Sequence, residues 1–178
     1  MKFELDKAIL ILERTPILLK GFLKELPSEW IYKNEGGKTW SPFDVMGHLI
    51  HGEKTDWIVR TEIILSDVPD KTFEPFDRFA QFENSKGKTL SALLIEFETL
   101  RNSNLMLLKS KNLSSGDLNR KGMHPELGEV KLSQLLAAWV VHDLGHIAQI
   151  VRVIAKQYKD EVGPWPQYLT ILNYKPME

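Results

Sequence analysis

Residues 132–155 constrain the fold most. Leu132, Leu135, Trp139, His142, His146, Ile150 and Val153 recur at helical spacing and share one face. The stretch is the most apolar of the chain, yet two His, one Asp, two Gln and one Arg interrupt it. A membrane span needs about 18 or more apolar residues in a row, so none is expected here. The pattern predicts an amphipathic helix over about residues 132–158 that must bury one stripe against partner helices.

Three other segments carry the same period. Over residues 6–26, Ile9, Leu12, Pro16, Leu19, Leu23 and Leu26 form one stripe. Pro16 removes a backbone donor and crowds the Leu12 carbonyl, which predicts a kink or a helix in two pieces. Over residues 42–66, "WSPFD" marks the start: Ser41 caps, Pro42 suits the first helical position, and Asp44 completes a capping box. Over residues 89–109 the stripe is Leu93, Phe97, Leu100 and Leu107. The connections 67–88 and 114–131 are rich in Pro, Gly, Asp, Asn or Ser, and strand alternation is confined to short fragments. The expectation is an all-α four-helix bundle forming one domain over residues 1–178.

Bulk properties exclude several functions. Lys and Arg total 23 against 24 Asp and Glu, so bulk charge does not point to nucleic acid or an anionic membrane. With no cysteine, the chain has no disulfide, thiolate metal site or cysteine nucleophile. The first residues, "MKFELDKAIL", carry acids where a signal peptide has basic and then apolar residues, and a cytoplasmic location is expected.

The histidines carry the chemistry. On the 42–66 helix, His48 shares a face with Val45, Leu49, Gly52, Val59 and Ile63. His142 and His146 stand one turn apart on the last stripe. An i,i+4 pair from one helix and a third imidazole from a facing helix can hold one divalent ion and leave positions free to react. The plain alternative is three core histidines, each with its own buried partner. Gly52 and Gly145 interrupt helices at a cost of about 1 kcal/mol each, which suggests close helix approach near the ion. "HDLGH" nearly matches the zinc-protease H-E-x-x-H. However, Asp143 replaces the glutamate, sits at the edge of the inner face, and has no downstream histidine ligand behind it. A di-iron site lacks its paired Glu-x-x-His helices, and nothing further supports a bis-histidine haem.

"WSPFDVMGHLIHGE" and "LLAAWVVHDLGHIAQIVRVIA" together resemble the DinB/YfiT-like superfamily, and the likeness extends over nearly the whole chain. The resemblance implies a four-helix bundle and a divalent metal, often nickel or zinc, on His48, His142 and His146. It implies small-molecule chemistry: S-transfer or isomerisation with a low-molecular-weight thiol, or metal-dependent hydrolysis, commonly in a homodimer. A non-catalytic metal-binding or stress-response bundle is the competing class.

Other residues carry weaker expectations. His51 and His124 read as nonligating and at least partly exposed, Glu53 as a surface acid, and Asp56 as a partner of an imidazole or a base. Phe73, Phe76, Phe79 and Phe82 would wall a pocket or pin their long connection. Phe43, Met46, Ile50, Trp57 and Ile64 make a second apolar face, which is either buried between neighbours or a homodimer surface.

Overall fold

The computed structural model describes residues 1–174. Its elements are α1 (Leu5–Leu23), α2 (Ser28–Tyr32), α3 (Pro42–Thr55), α4 (Trp57–Leu65), α5 (Ala80–Asn84), α6 (Leu90–Ser110), α7 (Ser115–Leu118), β1 (Lys121–His124), β2 (Gly128–Lys131) and α8 (Leu132–Lys156). A 3-10 turn at Trp165–Tyr168 and α9 (Thr170–Asn173) follow. No helix among the described residues is long and apolar enough to cross a membrane.

Caps set the helix starts. The Ser41 hydroxyl accepts from the Asp44 amide and the Asp44 carboxylate accepts from the Ser41 amide, so α3 opens with the expected capping box. Thr89 caps α6 in the simpler way. The first helix ends earlier than its stripe suggests, because Glu25 turns to a φ of +67° and Pro27 follows. Pro16 does not divide α1, which remains one helix. The proline cannot donate to the Leu12 carbonyl, and Arg101 Nη1 donates to that oxygen instead, at 2.9 Å.

The expected helix over 42–66 is two helices that meet at Asp56, whose φ and ψ are −114° and −77°. Asn104 Nδ2 donates to the Glu53 carbonyl at 2.8 Å, the acceptor an unbroken helix would offer to Trp57. The break changes the phase of the stripe. Trp57, Ile58 and Ile64 are buried, whereas Val59 is 43 % exposed. The α6 stripe also differs from expectation: Leu94, Phe97, Arg101, Leu105 and Leu108 point inward, and Leu107 is exposed. The second apolar face of α3 and α4 lies largely inside the chain, with Met46, Ile50, Trp57 and Ile64 all buried.

The apolar core has two parts. Leu19, Leu23, Val45, Met46, Leu49, Leu93, Phe97 and Ile150 belong to one. Ile9, Leu12, Ile58, Ile64, Leu105, Leu108, Leu132, Leu136 and Trp139 belong to the other. Helices α1, α6 and α8 each contribute to both, and α3 followed by α4 does so as a pair; the order of the contributions gives the direction of each. The first and last helices run one way, and α3 and α6 run the other. Because α6 packs against α3 and α1, and α8 against α1, α3 and α4, the two parallel neighbours α3 and α6 need a connection as long as the bundle. Residues 66–89 are that crossover.

The crossover is pinned by a hairpin absent from the sequence expectation. Strands β1 and β2 pair antiparallel, with His124 opposite Gly128. Phe73 N donates to Met123 O at 2.9 Å, and Met123 N donates to Lys71 O at 3.0 Å. Gly122 lets Phe73 seat, since a Cβ there would lie 2.7 Å from the Phe73 ring and 2.8 Å from Ile64 Cγ1. Gly122→Ala should therefore destabilise the fold by about 1–3 kcal/mol through overpacking. Urea unfolding measures this; an unchanged midpoint would mean that the hairpin can move away from Phe73 without cost.

Candidate metal centre

Between the two apolar clusters lies a polar layer. His48 comes from α3, and His142 and His146 come from successive turns of α8. His142 Nε2 is 3.1 Å from His48 Nε2 and 3.1 Å from His146 Nε2. Among the described residues these three form the group able to hold an ion, with one nitrogen of each within 4.8 Å of the others. Metal–imidazole bonds of about 2.0–2.1 Å put neighbouring ligand nitrogens about 3 Å apart, so the spacing fits one cation.

The electrostatics agree with the spacing. Burial, reinforced by His146 and His142, pushes the His48 imidazole down to about 2. Burial, then His142, pushes His146 down to about 4. Both rings are neutral near pH 7 and present lone pairs. Three lone pairs facing one point repel unless a cation or shared protons intervene, and His142 Nε2 cannot serve both neighbours with one proton. His146 Nδ1 donates to Gln149 Oε1 at 2.8 Å, leaving its Nε2 as the ligand atom. The Nδ1 atoms of His48 and His142 are buried without a partner among the described residues. Asp143 Oδ1 lies 4.0 Å from His142 Nδ1, beyond hydrogen-bond reach.

Aromatic rings frame the cluster. Trp40 lies 4.8 Å from the His48 ring and runs nearly parallel to His146, 14° apart in plane. Phe76 meets His48 edge-on at 5.4 Å, and Trp57 meets His142 edge-on at 5.1 Å. The four expected phenylalanines divide between the two readings. Phe73 is core, Phe76 walls the histidines, and Phe79 and Phe82 are exposed, with Phe82 edge-on to Trp40.

Several expectations need correction. Glu53 is not a surface acid: it is 3 % exposed and receives Arg101, Asn104 and Trp139. Asp143 is not at the edge of the inner face, being fully buried and gripped by Arg101. Asp56 pairs with Arg60 rather than with an imidazole. His51 stands outside the cluster but is buried against Phe76, and burial pushes its imidazole down. His124 caps its own hairpin turn, its Nδ1 accepting from the amides of Glu126 and Leu127. Gly52 makes room for the Trp57 ring, while a Cβ at Gly145 would meet nothing within 4 Å, so close helix approach does not explain it.

Three residues of the layer escaped the sequence reading. Trp40 stands in the quoted start motif, and Gln149 lies one turn beyond His146 on the same side of α8. Arg101 is four residues from Phe97 and from Leu105, a charge in the middle of an apolar stripe, which is the signal that could have found it.

The depressed imidazoles make acid stability a test. Unfolded histidines titrate near 6.5, so between that pH and about 4 the unfolded chain binds more protons than the folded one. Stability of the metal-stripped protein therefore falls as pH drops through this window. His146 contributes up to about 1.4 kcal/mol per pH unit, less for its partial exposure. Urea unfolding from pH 6.5 to 4.5 should give a shallower slope for His146→Gln than for the wild type. Equal slopes would contradict the neutral, buried state.

Comparison with known proteins places this geometry. The chain is similar to YfiT from Bacillus subtilis, described as "a probable metal-dependent hydrolase with an unusual four-helix bundle topology". The two share 23 % identity and superpose with a TM-score of 0.73, covering 89 % of this chain and 90 % of YfiT. At that identity the likeness is one of fold. No curated protein matches the chain. The DinB superfamily model matches residues 11–150, from the first long helix through the last histidine, and the chain belongs to that superfamily.

Proposed function

We propose that the chain is a metal-dependent enzyme in which His48, His142 and His146 hold a divalent cation and water is the nucleophile of a hydrolysis. The carrying observation is the convergence of three imidazole nitrogens, with two Nε2 contacts of 3.1 Å. The description of YfiT as a probable metal-dependent hydrolase supports the same reading. An all-imidazole donor set suits zinc or nickel better than magnesium or calcium. Bound there, the ion supplies Lewis acidity and brings the pKa of an incoming water or thiol towards neutrality.

The chain's own residues do the rest. His48 and His146 stay neutral at working pH, and Gln149 holds the His146 tautomer. Trp40, Phe76 and Trp57 exclude water and offer apolar walls, which favours a substrate with an apolar or aromatic part. Glu53 and Asp143 are committed to Arg101 and take no proton from substrate. A second reading, S-transfer, needs a low-molecular-weight thiol from outside, because the chain has no cysteine to supply one.

Metal analysis of the purified protein beside His142→Ala is the first test. The wild type should carry stoichiometric divalent metal, and the variant should lose it together with all ester or amide hydrolysis. Turnover only with an added thiol and an electrophile would replace hydrolysis by S-transfer. Metal without either activity would leave a binding bundle, and wild type without metal would reject the centre. If His48→Ala loses metal but keeps its Tm, the ion is not structural.

The proposal includes a homodimer. The outer face of α8 supports it: Ala138, Val141, Leu144, Ala148 and Val151 are all exposed, and none carries a charge. Val141→Glu should halve the mass measured by light scattering, and a monomeric wild type would reject the dimer.

A further inference from the structure

Arg101 sits at the middle of α6, a helix that carries no histidine, yet it reaches both helices that do. All five of its N–H donors are used. Nε and Nη2 donate to Glu53 Oε1 at 3.1 and 2.7 Å. Nη2 and Nη1 donate to Asp143 Oδ1 and Oδ2 at 3.0 and 2.6 Å. Nη1 also donates to the Leu12 carbonyl at 2.9 Å, the oxygen that Pro16 leaves free. The guanidinium lies over the Phe97 and Trp139 rings at 4.9 and 5.0 Å, and its side chain is fully buried.

The acceptors stand beside the ligands. Asp143 directly follows His142, and Glu53 lies five residues after His48, just before the break at Asp56. Glu53 Oε1 also accepts from Trp139 Nε1 at 3.2 Å, and Trp139 stacks on Trp57, which meets His142 edge-on. The apolar clusters lie on either side of this layer, and apolar packing is non-directional. A planar fork with every donor fixed is directional, and it acts at the level where the two ligand-bearing helices must agree. A coordination site tolerates misplacement of only about 0.5 Å.

We infer that Arg101 is a positioning residue for the metal centre: its guanidinium fixes the spacing of α3 against α8, and so holds His48 at a common focus with His142 and His146. The inference rests on the metal reading above. Lysine in its place keeps the charge but offers three donors from one nitrogen and cannot span both carboxylates.

The experiment is a Co2+ titration followed by visible absorbance, with Tm measured on the same samples. Arg101→Lys should bind Co2+ about 10–100-fold more weakly and with an altered d–d spectrum, the usual scale for losing a group that orients ligands. The triple variant Arg101→Met, Glu53→Met, Asp143→Leu removes every charge of the layer, and such replacements commonly keep or raise stability. It should fold and show the same loss, which carries the test if Arg101→Lys does not fold. Leu19→Ala, a fully buried deletion outside the polar layer, should lower Tm while keeping Co2+ affinity within about threefold. Wild-type affinity and spectrum in either Arg101 variant, or an equal loss in Leu19→Ala, overturns the inference alone. A wild type that binds no Co2+ overturns the metal reading and the inference with it.

Discussion

A guanidinium with no exposed surface is the constraint around which this bundle is arranged. Removing Arg101 from water costs several kcal/mol unless every donor finds an acceptor. Two carboxylates and one carbonyl satisfy it, drawn from α3, α8 and α1. Two irregularities of the chain belong to the same layer. Pro16 withholds the amide that would have taken the Leu12 carbonyl, and Asn104 takes the Glu53 carbonyl where α3 gives way to α4. Buried ion clusters seldom add net stability over apolar packing of the same volume. What this one adds is register, because an incorrect offset between helices would strand a buried charge.

The topology places the site as firmly as the layer does. Parallel neighbours α3 and α6 oblige residues 66–89 to travel the length of the bundle. That crossover passes Phe73 into one core cluster and lays Phe76 against His48 and His51. An up-down-up-down bundle would join these helices by a short turn and leave the histidines without this wall. The hairpin over residues 121–131 holds the crossover by two backbone hydrogen bonds, so a segment without ligands helps to shape the surroundings of the site.

Much of this was legible in the sequence where the signal is periodic. Four long helical segments and the face shared by His142 and His146 follow from spacing, and the Ser41 cap follows from its residue types. The structure brings together the same three histidines. What the wheel could not show were contacts that depend on another chain segment. Glu53 reads as a surface acid because nothing on its own helix announces Arg101, and Asp143 sits beside its stripe until a guanidinium arrives from α6. The split at Asp56 was hidden because the Asn104 amide that takes the Glu53 carbonyl there comes from 51 residues away. The hairpin was missed because its strands are only four residues each and lie within a turn-rich connection.

The histidine cluster violates a rule that the layer around Arg101 obeys. Around Arg101, buried polar atoms find complementary partners; here like groups face one another, and two Nδ1 atoms have no acceptor among the described residues. Local conflict of this kind is tolerated where a function uses it. A proton is the smallest cation that could relieve the converging lone pairs, but burial and mutual repulsion hold His48 and His146 well below neutral pH. Protons near pH 7 therefore compete weakly for the focus. A cation with affinity for imidazole meets three neutral donors already assembled, so little ordering remains to be done on binding. The same burial that makes the cluster unfavourable by itself keeps it receptive to a metal ion.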